Sequence, residues 1–315
     1  MQPRLNLLTM KETNIHNILV PLTLDEHGMN SVRQAMIIQD RFDSQITLLY
    51  VIPRYNRLGK YIRPAKLRRY KRRSFFKFAR FVNSFFDHHI PPYIRLKMQQ
   101  GSLVRVMISF IYGATYDLIV VNKKMEGRPE MQKKWENQIR IIIREAYCPV
   151  ITFNDIPTKA KKNQILVPID IRRHHKHNIV WATRLAREYQ AGIHLVSVLN
   201  KKIAREKSRI NFKIWKITEL LDKQKIPSQI SFLRGNEKNK HQLMAEFINM
   251  NKPDLVVIMT HQEVLVNINS IGEMASSVIR QSEYPVFSIT PKKESLFSIL
   301  IDILKNMNKR KEYKK

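Results

Sequence analysis

The chain repeats itself, and that limits what it can fold into more than any other feature. Ile18-Leu19-Val20-Pro21 returns as Ile165-Leu166-Val167-Pro168, and the run from Ile46 to Val51 returns as Ile193 to Val198, each 147 residues further on. Asp117-Leu118-Ile119-Val120-Val121 then matches Asp254-Leu255-Val256-Val257-Ile258, and Cys148-Pro149-Val150 matches Tyr284-Pro285-Val286. Four landmarks in one order mean two copies of one domain, so any site is to be read twice and compared. The 315 residues leave roughly 150 for each copy, enough for a core of its own. The expected division is a first domain over 1–155, a linker over 156–163, a second domain over 164–291 and an amphipathic, basic extension over 292–315.

Within each copy, short β-branched runs alternate with longer segments of helical period, the pattern of a parallel sheet covered by helices. Strands are expected near 16–21, 46–52, 94–99, 117–122 and 149–153, then near 164–169, 193–199, 229–234, 254–259 and 285–290. Helices are expected near 29–42, 66–88, 103–114 and 134–146, then near 176–190, 203–225, 238–250 and 272–282. Runs such as Leu118 to Val121 are apolar throughout, as strands buried on both faces must be.

The order of these blocks resembles the universal stress protein family. The residues that carry it are Ile165-Leu166-Val167-Pro168-Ile169-Asp170, Ile193 to Val198, Asp254 to Ile258 and Ser282-Glu283-Tyr284-Pro285-Val286, with Tyr147-Cys148-Pro149-Val150 in the last slot of the first copy. The resemblance implies an α/β fold: two tandem open parallel five-stranded sheets flanked by helices, paired as an intramolecular pseudo-dimer. Residues 149–153 should then meet 285–290 across a pseudo-two-fold axis. It also implies a role in stress response, and a further homodimer of such chains is compatible with it.

Nucleotide-binding members of that family carry G-x2-G-x9-G-S/T after the fourth strand. The glycines let backbone amides approach phosphates, and the last one opens a helix whose N-terminus favours negative charge. In the second copy those slots hold Met259, Gln262, Gly272 and Glu273, so one glycine survives and a carboxylate replaces the hydroxyl. Asp170 keeps the slot on the adenine side. In the first copy Asn122 and Met125 replace the first two glycines, the third falls on Trp135 or Glu136, Gly127 is out of register, and Thr23 takes the Asp slot.

No Walker A loop, G-x-S-x-G elbow, H-E-x-x-H or paired-Cys motif is present, so no catalytic residue is assigned. His174, His175 and His177 lie among Arg172, Arg173 and Lys176 and read as a solvated basic loop, because adjacent cations disfavour a metal ion. Cys148 is the one cysteine; it rules out an internal disulfide and reads as a small buried apolar residue. No apolar run approaches the roughly 20 residues of a membrane span, and the first twelve residues lack the pattern of a signal peptide. A reducing, cytoplasmic compartment is therefore expected.

The net charge is +30, which attracts polyanions: nucleic acid, anionic lipid, acidic proteins. Most of the contrast is local. No acidic residue occurs from Ser44 to Phe86, whereas twelve basic ones lie between Arg54 and Arg80. On a helix, Arg69, Arg73, Lys77 and Arg80 fall within a sector of about 80°. Phe75, Phe78, Val82, Phe85 and Phe86 are expected opposite, against the sheet, with Tyr55, Tyr61 and Tyr70 interleaved among the charges. The corresponding stretch of the second copy, Lys201 to Lys225, mixes acids with bases, so the stripe is not a property of the fold. In the extension, Leu296, Ile299, Leu300, Ile303, Leu304 and Met307 mark an apolar helical face that should pack on the body or on another chain.

Three readings follow. The first is a non-enzymatic universal-stress-type protein that acts by binding, with degenerate nucleotide sites and no cofactor. The second is a regulatory ATP or AMP binder through a divergent site of the second copy, at Asp170, Thr260, His261 and Gly272. The third is a nucleic-acid or anionic-surface binder through Arg69, Arg73, Lys77 and Arg80.

Overall fold

The computed structural model describes residues 14–54, 64–113, 116–154, 163–169, 176–200, 209–236, 238–260 and 271–290. The assigned linker as far as residue 162, Asp170, His174, His175, His261, Gln262, Tyr55, Tyr61 and the C-terminal extension lie outside them.

Residues 17–153 form β1 (Asn17–Leu22), α1 (Glu26–Phe42), β2 (Gln45–Ile52), α2 (Pro64–Phe85), β3 (Ile94–Gln100), α3 (Leu103–Gly113), β4 (Leu118–Asn122), α4 (Pro129–Glu145) and β5 (Val150–Phe153). The second series is β6 (Gln164–Pro168), α5 (Lys176–Tyr189), β7 (Gly192–Asn200), α6 (Arg209–Lys223), β8 (Ser228–Gly235), α7 (Lys240–Asn251), β9 (Leu255–Met259), α8 (Glu273–Gln281) and β10 (Val286–Ile289).

The strands form one ten-stranded sheet in the order β3-β2-β1-β4-β5-β10-β9-β6-β7-β8. Each half is parallel, as a strand–helix alternation requires, because a crossover helix returns the chain to the same edge. The halves join where β5 and β10 run antiparallel, with Val286 opposite Thr152, Phe287 opposite Ile151 and Ser288 opposite Val150. The expected meeting of 149–153 with 285–290 is this ladder. It gives the last strand of each half a partner on both sides.

Helices cover both faces. Buried residues of α1, α2, α5 and α6 share one core layer (Val32, Ile38, Phe78, Val82, Ala182, Leu185, Ile214, Leu221), and those of α3, α4, α7 and α8 share the other (Met107, Ile139, Ile142, Met244, Ile248, Val278). At the centre α1 and α5 meet in a reciprocal contact. Phe42 and Tyr189 pack edge-to-face at 6.5 Å, with the Arg41 guanidinium over Tyr189 and that of Arg184 over Phe42. Phe42 and Tyr189 stand 147 residues apart, the offset of the sequence repeat.

Some expected boundaries move: α1 starts at Glu26 where 29 was expected, and α2 ends at Phe85 where 88 was expected. The helix expected near 134–146 starts at Pro129, five residues earlier, because Pro129 is pre-set for a first helical position and lacks the N–H that has no acceptor there.

Candidate functional site

In each half the strand order reverses between the first and fourth strands, β1/β4 and β6/β9. Ligands of open parallel sheets sit at such a reversal, outside the C-terminal strand ends. In the first half the segment that leaves β4 there has its amides engaged. The Lys123 amide donates to the Phe153 carbonyl at 2.7 Å, and that of Lys124 to Asn122 Oδ1 at 2.8 Å. The Met125 amide donates to Gln132 Oε1 at 3.0 Å, and that of Glu126 to Asp25 Oδ2 at 3.0 Å. Four successive N–H groups, the kind that would cradle a phosphate, are thus satisfied by the protein itself.

One of these contacts ties the loop to the start of α1. Asp25 is the N-cap of α1: its Oδ1 accepts from the Gly28 amide at 2.8 Å and from the Thr23 hydroxyl at 2.6 Å, while its Oδ2 holds the loop after β4. Gly28 is required there, since a Cβ would stand 1.9 Å from the Thr23 carbonyl oxygen. Thr23, in the slot expected for an Asp, turns to Asp25 rather than outward. Trp135 lies inside, 6% exposed, and its indole N–H donates to the Asn122 carbonyl at 3.0 Å. Because α4 begins at Pro129, both slots considered for the third glycine, Trp135 and Glu136, are helix interior and not a helix start.

The second half differs. Here α8 opens at Glu273 with Gly272 as its N-cap, so the surviving glycine does begin a helix. The Gly272 amide is bonded to the Thr260 carbonyl at 2.8 Å, and the exposed Glu273 carboxylate stands 3.5 Å from His241 Nδ1. The Thr260 side chain is buried and faces the β5–β10 junction, with its hydroxyl 3.0 Å from that of Thr290. Of the four residues assigned to a divergent site, the described pair Thr260 and Gly272 is joined by a backbone bond; Asp170 and His261 lie outside the described residues.

The two halves also hold each other's helix ends. Lys123, buried, reaches across the junction and donates to the carbonyls of Ile279 at 2.9 Å and Ser282 at 2.7 Å, at the C-terminal end of α8. Thr290 donates its hydroxyl to the Ile143 carbonyl at 2.9 Å, at the end of α4. Cations and donors are favourable at that end of a helix, where carbonyls lack intrahelical partners. Burial nevertheless pulls the Lys123 ammonium down to about 8, with Lys124 adding to the fall and Glu136 opposing it.

The fold has counterparts in solved structures. A universal stress protein from Archaeoglobus fulgidus is 16% identical, superposes with a TM-score of 0.64, and the match covers 90% of this chain and 99% of that one. The fold is that of the universal stress proteins. A protein of unknown function from Pseudomonas aeruginosa is 15% identical with a TM-score of 0.60, over 96% of this chain and 100% of that one. No family model matches the sequence, and neither does any curated protein.

On this universal stress fold, α2 is a covering helix with a strongly basic exposed side. Its buried side is narrow, Ser74, Phe78 and Val82, and Arg69, Arg73, Lys77 and Arg80 are all exposed, as the helical spacing implies. Phe85 and Phe86 are half-buried and pack edge-to-face at 4.6 Å. Phe75 does not join them: it is 44% exposed, because it lies to the side of the buried sector instead of within it. Tyr70 hydrogen-bonds the Pro53 carbonyl at 3.1 Å, which ties the helix start to the end of β2. Cys148 is buried, and burial pushes its thiol up to about 12.

Sequence reasoning missed Asp25, Gln132 and Lys123. The spacing of Asp25 and Gly28 is a helix-start signal that could have marked the first. Nothing local marks the other two, whose partners are set by the tertiary fold.

Proposed function

We propose that this chain is a tandem member of the universal stress protein family that acts in stress response by binding rather than by catalysis, with no nucleotide in its first half. The observation that supports this is the run of amides from Lys123 to Glu126, each already bonded to an acceptor of the protein. A phosphate entering there would have to break those bonds, an exchange that returns no net hydrogen bonds. The test is to denature the purified protein and quantify adenine nucleotide per chain, then repeat a thermal-shift measurement with added ATP. A blank in both is expected. A stoichiometric yield abolished by Gly272→Glu would instead assign a working site to the second half.

A second reading is favoured by one observation: α2 presents Arg69, Arg73, Lys77 and Arg80 to solvent with no acidic residue anywhere on the helix. On this reading α2 is a polyanion-docking element. Binding should weaken steeply with salt and fall on charge reversal at Arg73 and Lys77.

A further inference from the structure

The polyanion reading accounts for the charges of α2 but not for its exposed phenylalanines. With Ser74, Phe78 and Val82 facing the sheet, the opposite direction at about 100° per residue falls on Phe76. Phe76 is 55% exposed and is surrounded on the helix surface by Arg69, Arg72, Arg73 and Arg80, with the Arg72 guanidinium 5.5 Å from its ring centroid. Phe75, 44% exposed, lies about 100° round the helix from it, beside the buried sector. Phe76 faces away from the buried side of α2, so packing within the fold does not account for it.

The second half carries a related exposed ring on a helix of mixed charge. Phe212, 136 residues from Phe76 and so at the offset that relates Pro149 to Pro285, is 59% exposed on α6, and the Lys216 ammonium lies 4.4 Å from its ring centroid. But α6 also carries Glu219, ion-paired to Lys223, and Asp222. The two helices thus separate two properties: an exposed ring on both, a field of one sign on α2 alone.

We propose that α2 docks the protein on an anionic lipid bilayer, with Arg69, Arg72, Arg73, Lys77 and Arg80 among the headgroups and Phe76 entering the interface. The proposal rests on the polyanion reading of α2 and names its partner. Lipid is favoured over nucleic acid by the chemistry of the surface. Phe76 stands on the outward side of the helix, and a phenylalanine ring offers a bilayer apolar area while it offers a base edge no hydrogen bond. A helix with basic residues flanking an exposed phenylalanine gains both headgroup attraction and apolar burial at such an interface.

The experiment is co-sedimentation of the full chain with vesicles of phosphatidylcholine alone or mixed with phosphatidylserine, alongside fluorescence anisotropy with a single-stranded oligonucleotide. Binding to the serine-containing vesicles only is expected. Phe76→Ala should weaken it about tenfold, since half of a phenylalanine side chain leaves the interface, and Arg73→Glu with Lys77→Glu should abolish it. Phe212→Ala should leave it unchanged. All these side chains are exposed, so the variants keep the parent melting temperature. Vesicle binding indifferent to Phe76, or equally sensitive to Phe212, overturns the lipid assignment and leaves a general polyanion surface. Oligonucleotide binding without vesicle binding also overturns it. No binding to either probe overturns both readings of α2.

Discussion

The junction between the halves has a pH signature that Lys123 controls. Its ammonium is buried, bonded to the Ile279 and Ser282 carbonyls, and drawn from 10.5 to about 8 chiefly by desolvation. A fall of that size corresponds to about 3 kcal/mol of cost for holding the charge in the folded state. Below pH 8 the lysine is protonated in both states and the whole cost is present. Between about 8 and 10.5 the folded protein has released the proton while the unfolded chain still holds it, so stability rises with pH through that window. Above it the cost is gone. Lys123→Met cannot titrate and keeps the length of the stem. The melting temperature of each protein should be followed from neutral pH to pH 11, and the difference, parent minus variant, taken at each point. Subtraction cancels the relief of the +30 self-repulsion, which both share. The difference should climb by about 6 °C, at about 2 °C per kcal/mol for a chain of this size. The slope decides, since the offset at any one pH also contains the two carbonyls that methionine leaves without a donor. Parallel curves, or a difference that falls with pH, would refute the argument and mean that the carbonyls of α8 favour the ammonium more than burial opposes it.

Other outcomes follow from single residues. Gly28→Ala should destabilise the protein by about 3 kcal/mol in denaturant titration, because its Cβ would meet the Thr23 carbonyl backbone and not a flexible side chain. Trp135→Ala should cost about 3–5 kcal/mol and leave the Asn122 carbonyl without its indole donor. Asp25→Ala should cost about 1–2 kcal/mol as a lost cap and free the Glu126 amide, seen as faster hydrogen exchange at that position. Cys148 should resist a thiol reagent at pH 8 in the native state and react once per chain after unfolding, since it is buried and its thiol is pushed up to about 12.

Much of the fold was legible because burial in this architecture has a period. Strands buried on both faces read as Leu118-Ile119-Val120-Val121, and the duplication allowed each strand to be checked against its copy. The start of α4 was misplaced because Pro129 lies in a polar stretch with no apolar rhythm, and the apolar residues on which a helix is recognised begin later, at Trp135. Phe75 was placed on the buried side because its spacing to Phe78, Val82 and Phe86 is helical; the sector α2 buries is narrower than those residues span, and the packed sheet sets its width.

The candidate site divides in the same way. The missing glycines and the stripe of Arg69, Arg73, Lys77 and Arg80 were visible in the sequence, because each depends on residue type at a local spacing. The use of Asp25 to hold Glu126, of Gln132 to hold Met125 and of Lys123 to hold the end of α8 was not. Asp25 and Glu126 are separated by 101 positions, and Lys123 from Ser282 by 159. Spacings of that length carry no period; they are contacts only because the sheet returns distant segments to one place. By itself the sequence determined the two copies, their alternation of strand and helix, and which residue types follow the fourth strand of each, because these rest on local burial and residue identity. The tertiary structure decided which groups satisfy the amides from Lys123 to Glu126 and which side chains α2 leaves in water, because both depend on what packs beside them.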